Sequence, residues 1–451
     1  MPSTVFDKIW ATHHVTDLPG GESLIAIDRT FLHERTGSVA LESMQAAGRA
    51  PRRPDTVFVT MDHIVSTQPG RGADDARTPG GDVFITATRA AAKAAGINLI
   101  DVLSPDQGIV HVISPELGIA QPGLTLVCPD SHTCSQGALG ALAWGIGSTD
   151  AEHAMVTGTL RLSKPAQMRI RIDGQLSPGV TAKDVILHII ATLGADGAKR
   201  CAVEFCGEAV EAMEIEARLT LCNMAVEFAA FTAVIAPDQK TTDYLKGRRF
   251  APKGDAWTNA LNDWARLKTD ANAVFDFEHV FDAREIKPTV SWGISPAEAA
   301  PIGGHVPDTL SASVRDYTGL TGGEAMRALA VGGAFIGSCT NARLSDLRAA
   351  AKVLQGRRVA DGVTAIIVPG SQAVRRAAEA EGLDAVFKAA GFDWQEPGCA
   401  FCFYAGGQTF PPGTRVISST NRNFKNRQGP GVITHLASPA VVAASAVTGR
   451  I

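Results

Sequence analysis

The chain has 451 residues, of which 45% are hydrophobic and 20% charged, with a formal net charge of −4. That length accommodates about three domains of ordinary size, and the near-neutral charge excludes a broad basic surface for nucleic acid or acidic membranes. The first residues lack both the apolar core of a signal peptide and the arginine-rich character of a transit peptide, and no apolar run reaches the ~18 residues needed to span a bilayer, so a cytoplasmic protein is expected.

In chain order, short β-branched runs alternate with alanine-rich stretches. Residues 56–63 (TVFVTMDH) read as a strand entering a turn, and residues 87–98 as a helix closed by Gly96. Residues 97–103, 108–113 (GIVHVI) and 123–132 (GLTLVCPDSH) read as further strands. A strand, a Ser-Pro-Gly turn and a new helix are read over 167–185, which sets a domain join near 165. The Pro- and Gly-rich stretch 287–308 reads as a second linker. The expected units are therefore 1–165, 166–286 and 287–451. Residues 362–371 read as an apolar strand and 373–382 as an amphipathic helix. This alternation predicts an α/β fold built from parallel units, and no internal repeat is visible. Ligands bind beyond the carboxyl ends of the strands in such sheets. Asp62, His63, His111, Asp130, Ser131 and His132 sit at such ends, and Asn341 and Arg343 follow the run 328–340 in the same way.

Eight cysteines are too few for a disulfide scaffold in a chain this long. Cys399 and Cys402 form a C-x-x-C pair, with Cys339 some sixty residues earlier. Three readings compete: buried thiols, a structural zinc site that needs a fourth ligand, or a [4Fe–4S] cluster with three protein thiolates and one open iron. Gly337 and Gly398 precede the cysteines and would let the backbone approach a bulky cofactor. Carboxylates adjoin histidines at Asp62–His63 and at Asp130–His132. Such pairs fix an imidazole tautomer and suit proton transfer. Glu227 lies four residues after Asn223, a spacing that puts both on one helix face. Arg422 and Arg427 offer planar forks for a carboxylate.

The segments TMDH, GIVHV, DSHT, EFCGEA, LCNMAVE, FIGSCTNAR, PGCAFC and STNRNFKNRQG resemble those of the aconitase superfamily. In order and spacing they most resemble its isopropylmalate dehydratase large subunits, from about residue 5 to the end. The resemblance implies three α/β domains around a [4Fe–4S] cluster held by Cys339, Cys399 and Cys402. It implies carboxylate–histidine pairs Asp62 with His63, His111 with Asp130, and His132 with Glu227, with His63 protonating the departing hydroxyl. Ser131, Asn223 and Asn421 would lie near substrate and cluster, and Arg422 and Arg427 would bind a substrate carboxylate. Cys128, Cys134, Cys201, Cys206 and Cys222 have no cluster role in the family and are expected to be buried thiols. The family's catalytic serine belongs to a fourth, swivelling domain, which is expected to be missing here and supplied by a small subunit. The implied reaction is a reversible dehydration of a hydroxy-dicarboxylate, as in leucine biosynthesis.

The chain departs from the family pattern at Val39, Ile64, Pro129, Cys134 and Gln136. A less polar site at Val39 and Ile64 points to a different small diacid, so a 2-methylmalate (citraconate) hydratase or a dimethylmalate dehydratase is an alternative. A zinc protein and an RNA-binding protein are alternatives of other classes.

Overall fold

The computed structural model describes residues 2–451. Three parallel sheets organise it. The first orders its strands Asn98–Ile100, Val57–Thr60, Arg29–His33, Thr125–Cys128 and Leu142–Gly145. The third orders Asp393–Trp394, Thr364–Ile367, Gly333–Ile336, Arg415–Ser418 and Ile433–Leu436. Both are wound 3-2-1-4-5 in chain order, so each has a topological switch point between its first and fourth strands, where open α/β sheets bind ligands. The second sheet is also parallel, in the order Thr232–Val234, Ala202–Cys206, Gln167–Asp173 and Phe277–Asp282. A small antiparallel sheet joins His14–Leu18, Glu22–Ala26 and Thr159–Ser163.

The core follows the sheets. One large apolar cluster packs the first sheet against the second through the helix Ala182–Leu193, and another fills the third. That helix begins at a capping box, with the Thr181 backbone N–H and hydroxyl both donating to Asp184 Oδ2. Val185, Ile186, Leu187, Ile189 and Ile190 are all fully buried. Faces this widely apolar mark a helix enclosed by protein rather than one bordering water. Its Lys183 is buried too, and its ammonium donates to the carbonyls of Ser419 (2.9 Å) and Thr420 (2.5 Å) and to Asn341 Oδ1 (3.3 Å). The helix thereby ties the second sheet to the loop that follows the fourth strand of the third.

Three segments differ from their sequence reading. Residues 108–113 form the start of a helix, Val110–Glu116, and not a strand. Tertiary contacts capture its first turn: the Val110 N–H donates to Asp62 Oδ2 and the Ile109 N–H to the Gly370 carbonyl. Both faces are buried, so a β-branched run sits as well in a helix as in a strand. The stretch 97–103 pairs only over Asn98–Ile100. The stretch 287–308 is no free linker. It holds an antiparallel pair, Thr289–Ser291 with Ala299–Pro301, and Ser291 Oγ accepts from Asn423 Nδ2 (3.1 Å) and the Leu436 N–H (2.7 Å).

Candidate active site

The switch points of the first and third sheets face one cavity of about 310 Å³, lined among others by His33, His63, His111, Asp130, Ser131, His132, Cys339, Cys399, Cys402, Arg422 and Arg427. His33 ends the first strand of the first sheet, and His63 and Asp130 follow its second and fourth. Cys339 and Arg422 follow the first and fourth strands of the third. A larger cleft of about 790 Å³ opens on the other side of Pro129–Ser131.

Asp130 is the centre of the polar network. Its Oδ1 accepts from His111 Nε2 (2.8 Å) and the His132 N–H (2.8 Å), and its Oδ2 from His63 Nε2 (3.2 Å). Burial opposes its charge, but His111, His132 and His63 together hold the carboxyl well below the usual range. His63 lies between two carboxylates, with Nδ1 at 2.6 Å from Asp62 Oδ1. Against the cost of burial, Asp62, Cys399 and Asp130 hold it protonated well above the ordinary histidine range. His132 Nε2 meets Glu227 Oε1 at 2.7 Å, and Arg422 Nε meets both Glu227 oxygens at 2.8 and 3.1 Å. The three carboxylate–imidazole pairs are thus brought together. Asn223 and Glu227, however, do not share one helix: Asn223 ends the helix Ile215–Asn223, and Glu227 lies in the 3-10 turn Met224–Phe228. The turn aims Glu227 at His132 while Asn223 points at Cys339.

Two site residues were not singled out from the sequence. His33 stacks on His63 with ring centroids 3.9 Å apart and its Nε2 lies 3.1 Å from the Pro129 carbonyl. Burial and the His63 charge push its pKa down to about 4, so it is neutral. Glu34 is buried and accepts the backbone N–H groups of Asp62 (2.9 Å), Ile64 and Val65 (3.3 Å). It shapes the turn that presents His63. Only adjacency to a strand end signalled these two in the sequence. Among the described residues, His33, Glu34, Asp62 and His63 form the one group of ligand-type side chains whose atoms all lie within 4.8 Å of one another, and the hydrogen bonds at Asp62 with the His33–His63 stack already account for that closeness.

The cysteine triad is therefore wider than 4.8 Å across. At least one of its sulfur–sulfur separations thus exceeds the about 3.8 Å set by a tetrahedral zinc with Zn–S bonds of 2.3 Å. Cys339, Cys399 and Cys402 are all buried and unpaired. Amide and hydroxyl groups surround them: Asn223 Nδ2 lies 3.2 Å and Asn421 Nδ2 3.5 Å from Cys339 Sγ, and Ser338 Oγ 3.1 Å from Cys402 Sγ. Arg427 Nη2 lies 3.8 Å from Cys402 Sγ, while its Nε has no partner. Burial and the neighbouring Cys402 push the Cys339 thiol up to about 12, and burial raises Cys399 as well; a metal would have to displace those protons. Ser338 (φ 82°) and Ala400 (φ 43°) adopt the left-handed region beside two of the cysteines, a strain that collects at functional sites. The two glycines act otherwise than expected. A Cβ on Gly337 would meet the Phe335 ring at 2.3 Å, and one on Gly398 would meet Thr67 at 2.9 Å, so both relieve packing against protein.

The departures from the family pattern divide. Pro129 lines the cavity, and Gln136 Nε2 lies 3.3 Å from His111 Nδ1. Cys134 Sγ donates to the Cys222 carbonyl at 3.1 Å. Val39 is 53% exposed on the helix Glu34–Ala46, and Ile64 is buried in the core. Neither lines the cavity, which corrects the expectation that they tune it. Cys128, Cys134, Cys201 and Cys222 are buried, whereas Cys206 is half-buried.

Residues 7–449 match the model of the Aconitase family (aconitate hydratase). The chain is 46% identical to "3-isopropylmalate dehydratase large subunit 1" of Bradyrhizobium diazoefficiens, over 99% of this chain and 95% of that one. It is also similar to the structure of aconitase X (holo-form) from Thermococcus kodakaraensis, at 12% identity and a TM-score of 0.46, covering 88% of this chain and 84% of that one.

Proposed function

Because the chain belongs to the aconitase family, we propose that it is the large subunit of a hydro-lyase that interconverts 3-isopropylmalate and 2-isopropylmalate in leucine biosynthesis. One observation carries the reading: three buried cysteines and three carboxylate–imidazole pairs face a single cavity. Cys339, Cys399 and Cys402 would hold a [4Fe–4S] cluster, and their open spacing and surrounding N–H donors fit that group. When bound through three thiolates, the cluster supplies an iron with a free position, a Lewis acid toward the substrate's hydroxyl and carboxylate.

The protein's own part is proton transfer and orientation. His63, held as imidazolium between Asp62 and Asp130, carries its Nε2 proton toward the cavity, where a departing hydroxyl would take it. Asp62 keeps the Nδ1 proton throughout. Glu227 holds Arg422 by its Nε, leaving the terminal nitrogens of that guanidinium for a substrate carboxylate, with Arg427 beside it. Ser131 borders the cavity, Asn421 lies against Cys339 and Cys402, and Asn223 orders both Cys339 and Asn421.

The base that removes the carbon-bound proton would be a serine of a separate small subunit, in keeping with the "large subunit" in the relative's name. Residues 1–165, 166–286 and 287–451 are taken as the three α/β domains. Among the described residues, no helix is long and apolar enough to cross a membrane. The methylmalate and dimethylmalate readings lose their motive, since Val39 and Ile64 lie away from the cavity. The test is anaerobic reconstitution of the chain with its small subunit, followed by iron and sulfide analysis and a panel of isopropylmalate, methylmalate, dimethylmalate and citrate. About four irons per chain and preferred turnover of isopropylmalate are expected. One zinc per chain, or full activity from this chain alone, would overturn the reading.

A further inference from the structure

We propose that Gln136 is a positioning residue for this site, holding His111 in the single tautomer that can serve Asp130. The inference rests on the reading of the site as a hydro-lyase centre but concerns a residue that differs from the family pattern. Gln136 lies in the 3-10 segment Ser131–Leu139, and its side chain is fully buried. His111 Nε2 lies 2.8 Å from Asp130 Oδ1. Asp130 is ionised and can only accept, so Nε2 must carry a hydrogen. In a neutral imidazole the other nitrogen then presents a bare lone pair. That lone pair, on Nδ1, is buried and faces Gln136 Nε2 at 3.3 Å. The amide N–H supplies the donor it needs.

The orientation comes at the expense of Gln136 itself. Its Oε1 is buried and has no hydrogen-bond partner among the described residues. Turning the amide over would bring Oε1 against Nδ1, and that contact suits only a ring with hydrogens on both nitrogens. Asp130 already accepts from His63 Nε2 through its Oδ2. Its plane is fixed at Oδ1 by two donors, His111 Nε2 and the His132 N–H, so the ring orientation that Gln136 sets at Nδ1 reaches the carboxylate. Gln136 thus acts through His111 on Asp130 and never reaches the substrate, the logic by which an outer hydrogen bond selects a histidine tautomer.

The test combines nitrogen NMR with kinetics. In the full-length chain labelled with 15N-histidine, the His111 resonances are assigned as those lost in His111→Asn. Wild type is expected to show a protonated Nε2 and a bare Nδ1. Gln136→His, whose ring N–H can donate, is expected to keep that pattern. Gln136→Glu, which can only accept, is expected to protonate Nδ1. In the reconstituted complex, Gln136→Leu is expected to lower kcat by about 10- to 100-fold, the effect of losing one buried hydrogen bond, with KM changed less than about twofold, and Gln136→His to restore most of kcat. A protonated Nδ1 in the wild type, or a Gln136→Leu enzyme with wild-type kcat, would overturn the proposal. If Gln136→Leu does not fold, by circular dichroism, the wild-type spectrum still decides. The two readings fail separately: an active enzyme with the wrong tautomer defeats only the role of Gln136, and the right tautomer without hydro-lyase activity defeats only the function.

Discussion

Replacing Asp130 with Asn tests the catalytic arrangement most directly. The carboxylate accepts three hydrogen bonds, two at Oδ1 and one at Oδ2. Asn keeps one acceptor oxygen, and the two 2.8 Å bonds from His111 and His132 hold it on their side. Its NH2 then faces His63 Nε2, which can no longer carry a hydrogen there. His63 loses a charge-assisted bond worth about 1.5–3 kcal/mol, which lowers its pKa. Its proton remains only on Nδ1, bonded to Asp62 and turned from the cavity. Loss of a positioned acid costs on the order of 10²–10⁴-fold in rate. Asp130→Asn in the reconstituted complex is therefore expected to lose that factor in kcat, while iron content and melting temperature stay near wild type. The assay is formation of the unsaturated diacid from isopropylmalate. A kcat within a few-fold of wild type would refute the idea that Asp130 holds the His63 proton in place.

Cys339→Ser is expected to lose most iron and acid-labile sulfide, whereas Cys134→Ser, whose thiol bonds a carbonyl, should retain both; equal loss in the two would count against the triad. Arg422→Lys gives up the fork shared between Glu227 and substrate, and a rise in KM of about tenfold is expected from the loss of one charged hydrogen bond, with an unchanged KM as the contrary result. His435 is buried and neutral, with Nδ1 donating to the Ser291 carbonyl (2.8 Å) and Nε2 accepting from Arg415 (3.1 Å), and burial with the Arg415 charge pushes its pKa down to about 4. Because the folded value lies below the unfolded one of about 6.5, its contribution is full above pH 6.5 and disappears as pH falls through 4, about 3 kcal/mol in all. His33 titrates in the same window, so thermal melts from pH 7 to pH 4 should fall less steeply for His435→Gln but not become flat, and parallel curves would contradict the assignment. Gly137→Ala places a Cβ 1.7 Å from the Ala233 carbonyl oxygen, so about 3 kcal/mol or more of stability should be lost, read as a melting temperature or a failure to fold.

Much of the chemistry was legible before folding because it depends on residue type and adjacency. The thiols of Cys339, Cys399 and Cys402 and the neighbours Asp62 and His63 announce themselves, and the apolar runs over 56–63, 362–371 and 373–382 carry the periods of strand and helix. Family resemblance joined His111 to Asp130 and His132 to Glu227, pairs that no spacing connects. Local pattern went wrong where both faces of a segment are buried. The run 108–113 is β-branched and apolar throughout, so periodicity is silent, and contacts from Asp62 and Gly370 decided for helix. The stretch 287–308 reads as a linker because its burial comes from the third sheet and not from its own composition.

What only the tertiary structure decided is distance. Two sheets wound alike, with no sequence repeat between them, bring their switch points to one cavity, and that juxtaposition converts separate polar clusters into a site. It removed Val39 and Ile64 from the cavity, added His33 to its lining, and placed Glu34 and Gln136 behind it, against Asp62 and His111, contacts a few ångströms long between residues tens of positions apart along the chain. It also gave the cysteine triad its width. Thiol identity is a property of the sequence, but the separation of the sulfurs is set by two loops, one bearing Cys339 and the other Cys399 and Cys402, that only the folded sheets place.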